Sequence, residues 1–180
     1  MKKVVWGASF VLIALCISAF AWRTAPAQTE AANDQIRWYT WEEAVAASAN
    51  QPKKLFVDVY TDWCGYCKRM DASTFTDPAV IQYINENFYA VKFNAEQTGD
   101  VQYKGHTLRF QANGRRGYHE LAAALLDNRL SYPSFVYLDE SQLRITISPG
   151  YKTPDVLLRE MRYVAGGHYK NMRFEQFQGK

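Results

Sequence analysis

The sequence predicts an α/β domain built on a mixed sheet with helices on both faces, and three observations carry that expectation. β-branched and aromatic runs of strand length alternate with segments of helical spacing in the order strand, helix, strand, helix, strand, strand, helix. The first three elements form a βαβ unit, whose crossover makes its two strands parallel. The last three form a ββα unit, whose short polar turn makes an antiparallel pair and so a mixed sheet.

Thr40-Trp41-Glu42-Glu43 is a capping box, and Ala44, Val45 and Ala47 continue a short helix to about Asn50 before Gln51-Pro52 stops it. Leu55 to Tyr60 is a strand. Gly65 begins a helix that runs to about Met70, or on toward Ser73. Asp77-Pro78 places an N-cap before a proline at the first helical position, and Val80, Ile81 and Ile84 mark the apolar face of a helix ending at Asn87. Ala90 to Asn94 is a short strand. Val101 to Tyr103 and Thr107 to Phe110, flanking Lys104-Gly105-His106, have the pattern of a small hairpin. Tyr118 to Asp127 is an Ala- and Leu-rich helix with Asn128 as its C-terminal cap. Ser134 to Leu138 and Arg144 to Ile147 are strands about the turn Asp139-Glu140-Ser141-Gln142. Thr153-Pro154-Asp155 opens the last helix, with Val156, Leu157, Met161 and Val164 as its apolar positions and Gly166-Gly167 as its end.

With 180 residues, 48% hydrophobic and 22% charged, the chain has enough apolar material for one domain core and is neither disordered nor coiled coil in composition. A net charge of +3 is too weak and dispersed to indicate nucleic acid, and Gly114-Arg115-Arg116-Gly117 is read as a solvated loop. Lys2 and Lys3 precede an uncharged apolar run from Val4 to Trp22, followed by Arg23 and small or polar residues. That is the layout of a signal peptide over residues 1–27, with Ala19-Phe20-Ala21 and Ala25-Pro26-Ala27 as cleavage patterns. Retention as a membrane anchor is the alternative, and lipidation at Cys16 a third, disfavoured by Leu15 before it. Each outcome exports the domain, to the periplasm in soluble or N-terminally anchored form. Residues 28–37 read as a linker, 38–167 as the domain and 168–180 as a basic, aromatic tail with no assigned structure.

Just past the Leu55 to Tyr60 strand stands Trp63-Cys64-Gly65-Tyr66-Cys67-Lys68. Two thiols separated by two residues can close a small disulfide ring, and a helix start lowers the pKa of the first. A structural zinc half-site would need two further Cys or His ligands, yet the remaining cysteine is Cys16 and His106, His119 and His168 are scattered singly. A bridge closing so short a loop removes little unfolded-state entropy, so exchange explains it better than stability does.

From Leu55 through Lys68 the chain resembles the strand-to-active-site stretch of the thioredoxin superfamily without a gap. Lys92-Phe93-Asn94-Ala95-Glu96 resembles that family's next strand, Tyr132-Pro133-Ser134 its cis-proline loop, and Gly150-Tyr151 the glycine near the end of its final strand. Asp71 and Thr74-Phe75-Thr76-Asp77-Pro78-Ala79-Val80 look like the exported branch that includes the C-terminal domain of the bacterial transmembrane disulfide reductase. The resemblance covers about Leu55 to Ala165. It departs from the family at Gly65-Tyr66, where Gly-Pro is usual, and in a longer central connection from Gln97 to Gly117, which is either a docking element or a plain surface elaboration.

The resemblance implies a thioredoxin fold and a thiol-disulfide oxidoreductase acting on exported protein thiols and disulfides, with a lean toward reductase. A thioredoxin-like binding or redox-sensing module without turnover is the alternative. Cys64 is expected to attack from an exposed first helical position and Cys67, more buried, to resolve the mixed disulfide. Asp58, which matches the family's buried carboxylate, would exchange a proton with the resolving thiol, and Lys92 would bias its charge. Alternation alone would instead place Asp58 on a polar strand face. Pro133 is expected to follow a cis bond, leaving the Tyr132 backbone open to an extended segment, with Trp63 and Tyr66 flanking the groove. Neither a metal nor a cofactor beyond the dithiol is expected, and a membrane electron donor would fit the exported setting.

Overall fold

The computed structural model describes residues 34–179. In chain order these form β1 (Trp38–Tyr39), α1 (Trp41–Asn50), β2 (Lys54–Tyr60), α2 (Gly65–Ala72), α3 (Pro78–Asn87), β3 (Phe88–Asn94), β4 (Val101–Tyr103), β5 (His106–Leu108), β6 (Phe110–Asn113), β7 (Arg116–His119), α4 (Glu120–Leu125), β8 (Ser134–Leu138), β9 (Arg144–Pro149) and α5 (Pro154–Ala165). Five strands make one sheet in the order β1-β3-β2-β8-β9. β3 pairs in parallel with β1 and β2, while β8 pairs antiparallel with β2 and β9, so the sheet is mixed as expected.

Successive strand residues point to opposite faces. Leu55, Val57 and Val59 join Val91, Phe93, Val136 and Leu138 in a core closed by Trp41 and Ala44 of α1 and Leu121, Ala122 and Leu125 of α4. Phe56 joins Phe135 and Tyr137 on the other face, under Met70 of α2, Ile81 and Ile84 of α3 and Leu157 and Met161 of α5. A sheet covered on both faces leaves β2 no polar side. Asp58 has the parity of Phe56 and is buried with it, against what simple alternation would suggest.

Local chemistry sets most helix starts. Thr40 accepts from the Glu43 N–H at 3.2 Å while the Glu43 carboxylate accepts from the Thr40 N–H at 2.9 Å, the reciprocal box expected. The Asp77 carboxylate accepts from the Ala79 and Val80 N–H groups at 2.9 and 3.1 Å, ahead of Pro78. Each cap contributes about 1 kcal/mol.

The structure corrects several boundaries. β1 has two residues, too short for a periodic signal, and β3 begins at Phe88. In α5, Val156 is 44% exposed and Leu158 takes the core position, because a helix face runs through Leu157, Leu158, Met161 and Val164. The helix expected over Tyr118 to Asp127 is only Glu120–Leu125: Tyr118 and His119 belong to β7, and the His119 Nδ1 caps the helix by accepting from the Leu121 N–H at 3.0 Å. Asn128 lies beyond the Leu126 cap with a left-handed φ of 60°. In the central connection, β4 and β5 form the expected hairpin, though its second strand ends at Leu108. A second hairpin, β6 and β7, was not expected: the segment read as a solvated loop is its turn, Gly114-Arg115, and the start of β7.

Ile36 is buried in the α2, α3 and α5 core, and the Arg37 N–H donates to Asn85 Oδ1 at 2.9 Å. After α5 the tail forms 3-10 turns at His168–Lys170 and Phe174–Gln176, and the Phe174 and Phe177 rings pack on Tyr163. The expected signal segment, Cys16 and residues 28–33 of the expected linker lie outside the described residues. Among the described residues no helix is long and apolar enough to cross a membrane.

Candidate redox site

Cys64 and Cys67 are joined by a disulfide with a Cα–Cα distance of 5.3 Å. Cys64 is not the first helical residue but the N-cap of α2, and its Sγ accepts the Cys67 N–H at 3.1 Å. An expected difference in exposure is absent in the closed ring, where Cys64 is 5% and Cys67 3% exposed. Position distinguishes them instead: a thiolate at Cys64 would face the unpaired N–H groups and positive end of α2, whereas Cys67 lies inside the first turn. Gly65 follows the cap with open space around the position of a Cβ. Among the described residues no group of three or more His, Cys, Asp or Glu side chains is gathered to hold a metal ion.

Behind the disulfide, Asp58 of β2 stands opposite Lys92 in the register of the β2–β3 pair. Lys92 Nζ donates to Asp58 Oδ2 at 2.9 Å and also to Asp71 of α2, a carboxylate whose role sequence reasoning missed. Among the described residues Asp58 Oδ1, which is buried, has no hydrogen-bond partner. Burial pushes the Asp58 carboxyl up to about 6, against the opposing pull of the Lys92 charge and hydrogen bond. For Lys92, burial acts to lower the pKa, but the Asp58 charge and the bonds to both carboxylates outweigh it and hold the ammonium above its ordinary value. The rings of Trp38, Tyr60 and Phe75 surround Lys92 Nζ at 5.0, 5.0 and 5.2 Å from their centroids. A cavity of about 310 Å³, lined by Ile36, Trp38, Asp71, Phe75 and Lys92 among others, lies beside the triad. Asp58 is thus a buried acid that changes charge near neutral pH, suited to taking and returning a proton.

On the other side, β8 begins next to the end of β2, with Ser134 opposite Val59, and this brings the Tyr132–Pro133 segment near the disulfide. The Tyr132–Pro133 peptide bond is cis. The loop is pinned by the Gly150 N–H donating to the Pro133 carbonyl at 2.8 Å and the Ser134 hydroxyl donating to the Ser131 carbonyl at 2.7 Å. Among the described residues neither the Tyr132 N–H nor its carbonyl has a hydrogen-bond partner. Burial and the Glu96 charge push the Tyr132 hydroxyl up to about 12, so it stays neutral.

Trp63 and Tyr66 are 50% and 61% exposed and form two aromatic walls. Trp63 meets the Tyr132 ring edge-on at 6.0 Å, and Tyr66 meets Tyr151 at 6.1 Å. The Trp63 Nε1–H donates to Glu96 Oε1 at 3.0 Å. Across the indole face lies the guanidinium of Arg116, 4.3 Å from the ring centroid. The central connection therefore reaches the redox site through β7. Neither Glu96 nor Arg116 was expected there; only the position of Glu96, two residues past β3, offered a signal.

Comparison with known proteins agrees with this geometry. Residues 20–148 match the family model Thioredox_DsbH, described as "Protein of unknown function, DUF255". The Caenorhabditis elegans protein B0495.5 is 32% identical over 78 residues, 43% of this chain and 11% of that one. The thiol:disulfide interchange protein DsbD of Actinobacillus pleuropneumoniae is 49% identical over 39 residues, 22% of this chain and 7% of its own length. The chain thus spans about a tenth or less of these relatives. A thioredoxin from Thermus thermophilus superposes with a TM-score of 0.56 at 20% identity, covering 77% of this chain and 98% of that one, which establishes the thioredoxin fold.

Proposed function

The chain belongs to the Thioredox_DsbH family, DUF255, and we propose that it reduces disulfides in exported proteins by thiol-disulfide exchange. The observation that carries the proposal is the Cys64–Cys67 disulfide at the start of α2, with the buried Asp58 carboxyl behind it and the cis Tyr132–Pro133 bond beside it. The short match to a thiol:disulfide interchange protein favours exchange chemistry, the resemblance of Asp71 and Thr74 to Val80 to the exported disulfide-reductase branch favours the reducing direction, and the basic, apolar, small-residue layout of residues 1–27 favours export to the periplasm.

In the dithiol form, the Cys64 thiolate attacks one sulfur of a substrate disulfide, and the other sulfur leaves as a thiolate that takes up a proton. Cys67 then gives its proton to Asp58 and attacks Cys64 Sγ, closing the ring and releasing the second substrate sulfur, which is protonated in turn. Two electrons pass from the dithiol to the substrate, and a donor dithiol, here assigned to a membrane protein, must restore them. Within this chain the exchange step would use the two cysteines alone. Tyr132 would pair its free N–H and carbonyl with an extended substrate segment over Pro133, and Trp63 and Tyr66 would supply apolar contact on either side.

Insulin reduction with a supplied dithiol donor tests this. Turnover that requires both cysteines is expected. A folded protein that binds partners yet shows no thiol-dependent turnover would be a binding or sensing module instead.

A further inference from the structure

We propose that the redox groove selects substrate segments carrying an acidic side chain beside the reacting cysteine, and that Arg116 on the β6–β7 hairpin is the main determinant of that choice. The inference rests on the exchange reaction proposed above and adds the chemical class of its substrate. On one wall, Arg116 lies 4.3 Å over Trp63, whose indole is also held at its N–H by Glu96 and at its edge by Tyr132. On the other wall, Arg69 lies 5.0 Å over Tyr151, which packs on Tyr66. Each exposed aromatic wall is thus backed by a guanidinium. Among the described residues no carboxylate lies within ion-pair distance of Arg69, Arg115 or Arg116.

Stacking leaves the edge donors of a guanidinium directed outward, and its planar fork matches a carboxylate in two-point contact. The acid nearest the Trp63 wall, Glu96, already accepts the indole N–H. An extended segment paired with Tyr132 alternates its side chains, so residues flanking its cysteine reach toward the two walls. Complementary charge at that rim speeds encounter and sets register, and it disfavours a basic neighbour.

The test uses reduced protein and three peptide disulfides that differ only in the residue next to cysteine: Glu, Gln or Lys. At low salt, the second-order rate constant for the Glu peptide should exceed that for Gln by about three- to ten-fold, with Lys slower than Gln. The Glu-to-Gln ratio should fall by half or more in about 0.5 M salt, where screening is strong. In Arg116→Gln it should approach one, and in Arg116→Lys it should lie between. A wild-type ratio of one or less overturns the proposal, as does a ratio unchanged in Arg116→Gln, whatever Arg69→Gln shows. If Arg116→Gln does not fold, the wild-type peptide series and its salt dependence decide. Failure to reduce all three peptides would refute the exchange reaction itself, whereas equal reduction of all three refutes only the acidic preference.

Discussion

Replacing Asp58 with asparagine keeps the shape of the side chain and removes its proton chemistry. Burial raises this carboxyl from an ordinary 3.8 to about 6, so at ~1.4 kcal/mol per pH unit the folded protein loses about 3 kcal/mol by keeping it ionised at pH 7.5. Because the folded value lies above the unfolded one, the stability from this group is fully present below the unfolded value and lost as pH rises through about 6. Asparagine escapes that loss, and the lost Lys92 attraction needs no further subtraction because the value of about 6 is already net of it. Urea unfolding of the oxidised proteins should therefore show Asp58→Asn more stable at pH 7.5 by about 3 kcal/mol, with the difference moving against the variant by about 2–3 kcal/mol on acidification to pH 4. The same variant should slow resolution of the mixed disulfide by at least about ten-fold, since the proton acceptor is gone. A stability difference constant across this pH range, or one that grows in acid, would refute the burial of an acid near its neutral form.

Cys67→Ser should trap substrate proteins as mixed disulfides through Cys64, visible on non-reducing gels; trapping by Cys64→Ser instead would reverse the order of attack. His119→Ala removes both the α4 cap and the bridge from Nε2 to the Gly99 carbonyl at 2.9 Å, and should cost about 2–4 kcal/mol in urea unfolding. A loss under about 1 kcal/mol would mean that this buried imidazole does not hold the connection to the helix. Gly117→Ala would drive a Cβ into the Phe110 ring and the Gln111 carbonyl, displacing β6 from β7. The indole N–H resonance of Trp63 should shift as Arg116 leaves its face, and an unmoved resonance would separate the hairpin from the redox site.

What could be read along the chain was what neighbours in sequence decide. The Thr40 box, the Asp77-Pro78 start, the α2 start at Gly65 and the ring between Cys64 and Cys67 all depend on residues within one helical turn of each other. The strands β2 and β8 were legible because their apolar runs match sheets buried on both faces. The resemblance to the thioredoxin superfamily then supplied the expectation of a cis bond at Pro133 and of a buried Asp58, neither of which spacing could give.

Tertiary structure decided the rest. β2 and β3 are parallel and in register, so Asp58 faces Lys92; only the packing of α2 against that face adds Asp71. His119 caps α4 because β7 delivers it there, a duty that residue type alone does not announce. Arg116 belongs to a segment read as solvated, and its stack on Trp63 exists because the β6–β7 hairpin carries it to the loop that follows β2. Helix starts and strand runs follow from short-range sterics and hydrogen bonds, whereas charge burial and side-chain stacking depend on which distant surfaces the completed sheet brings face to face.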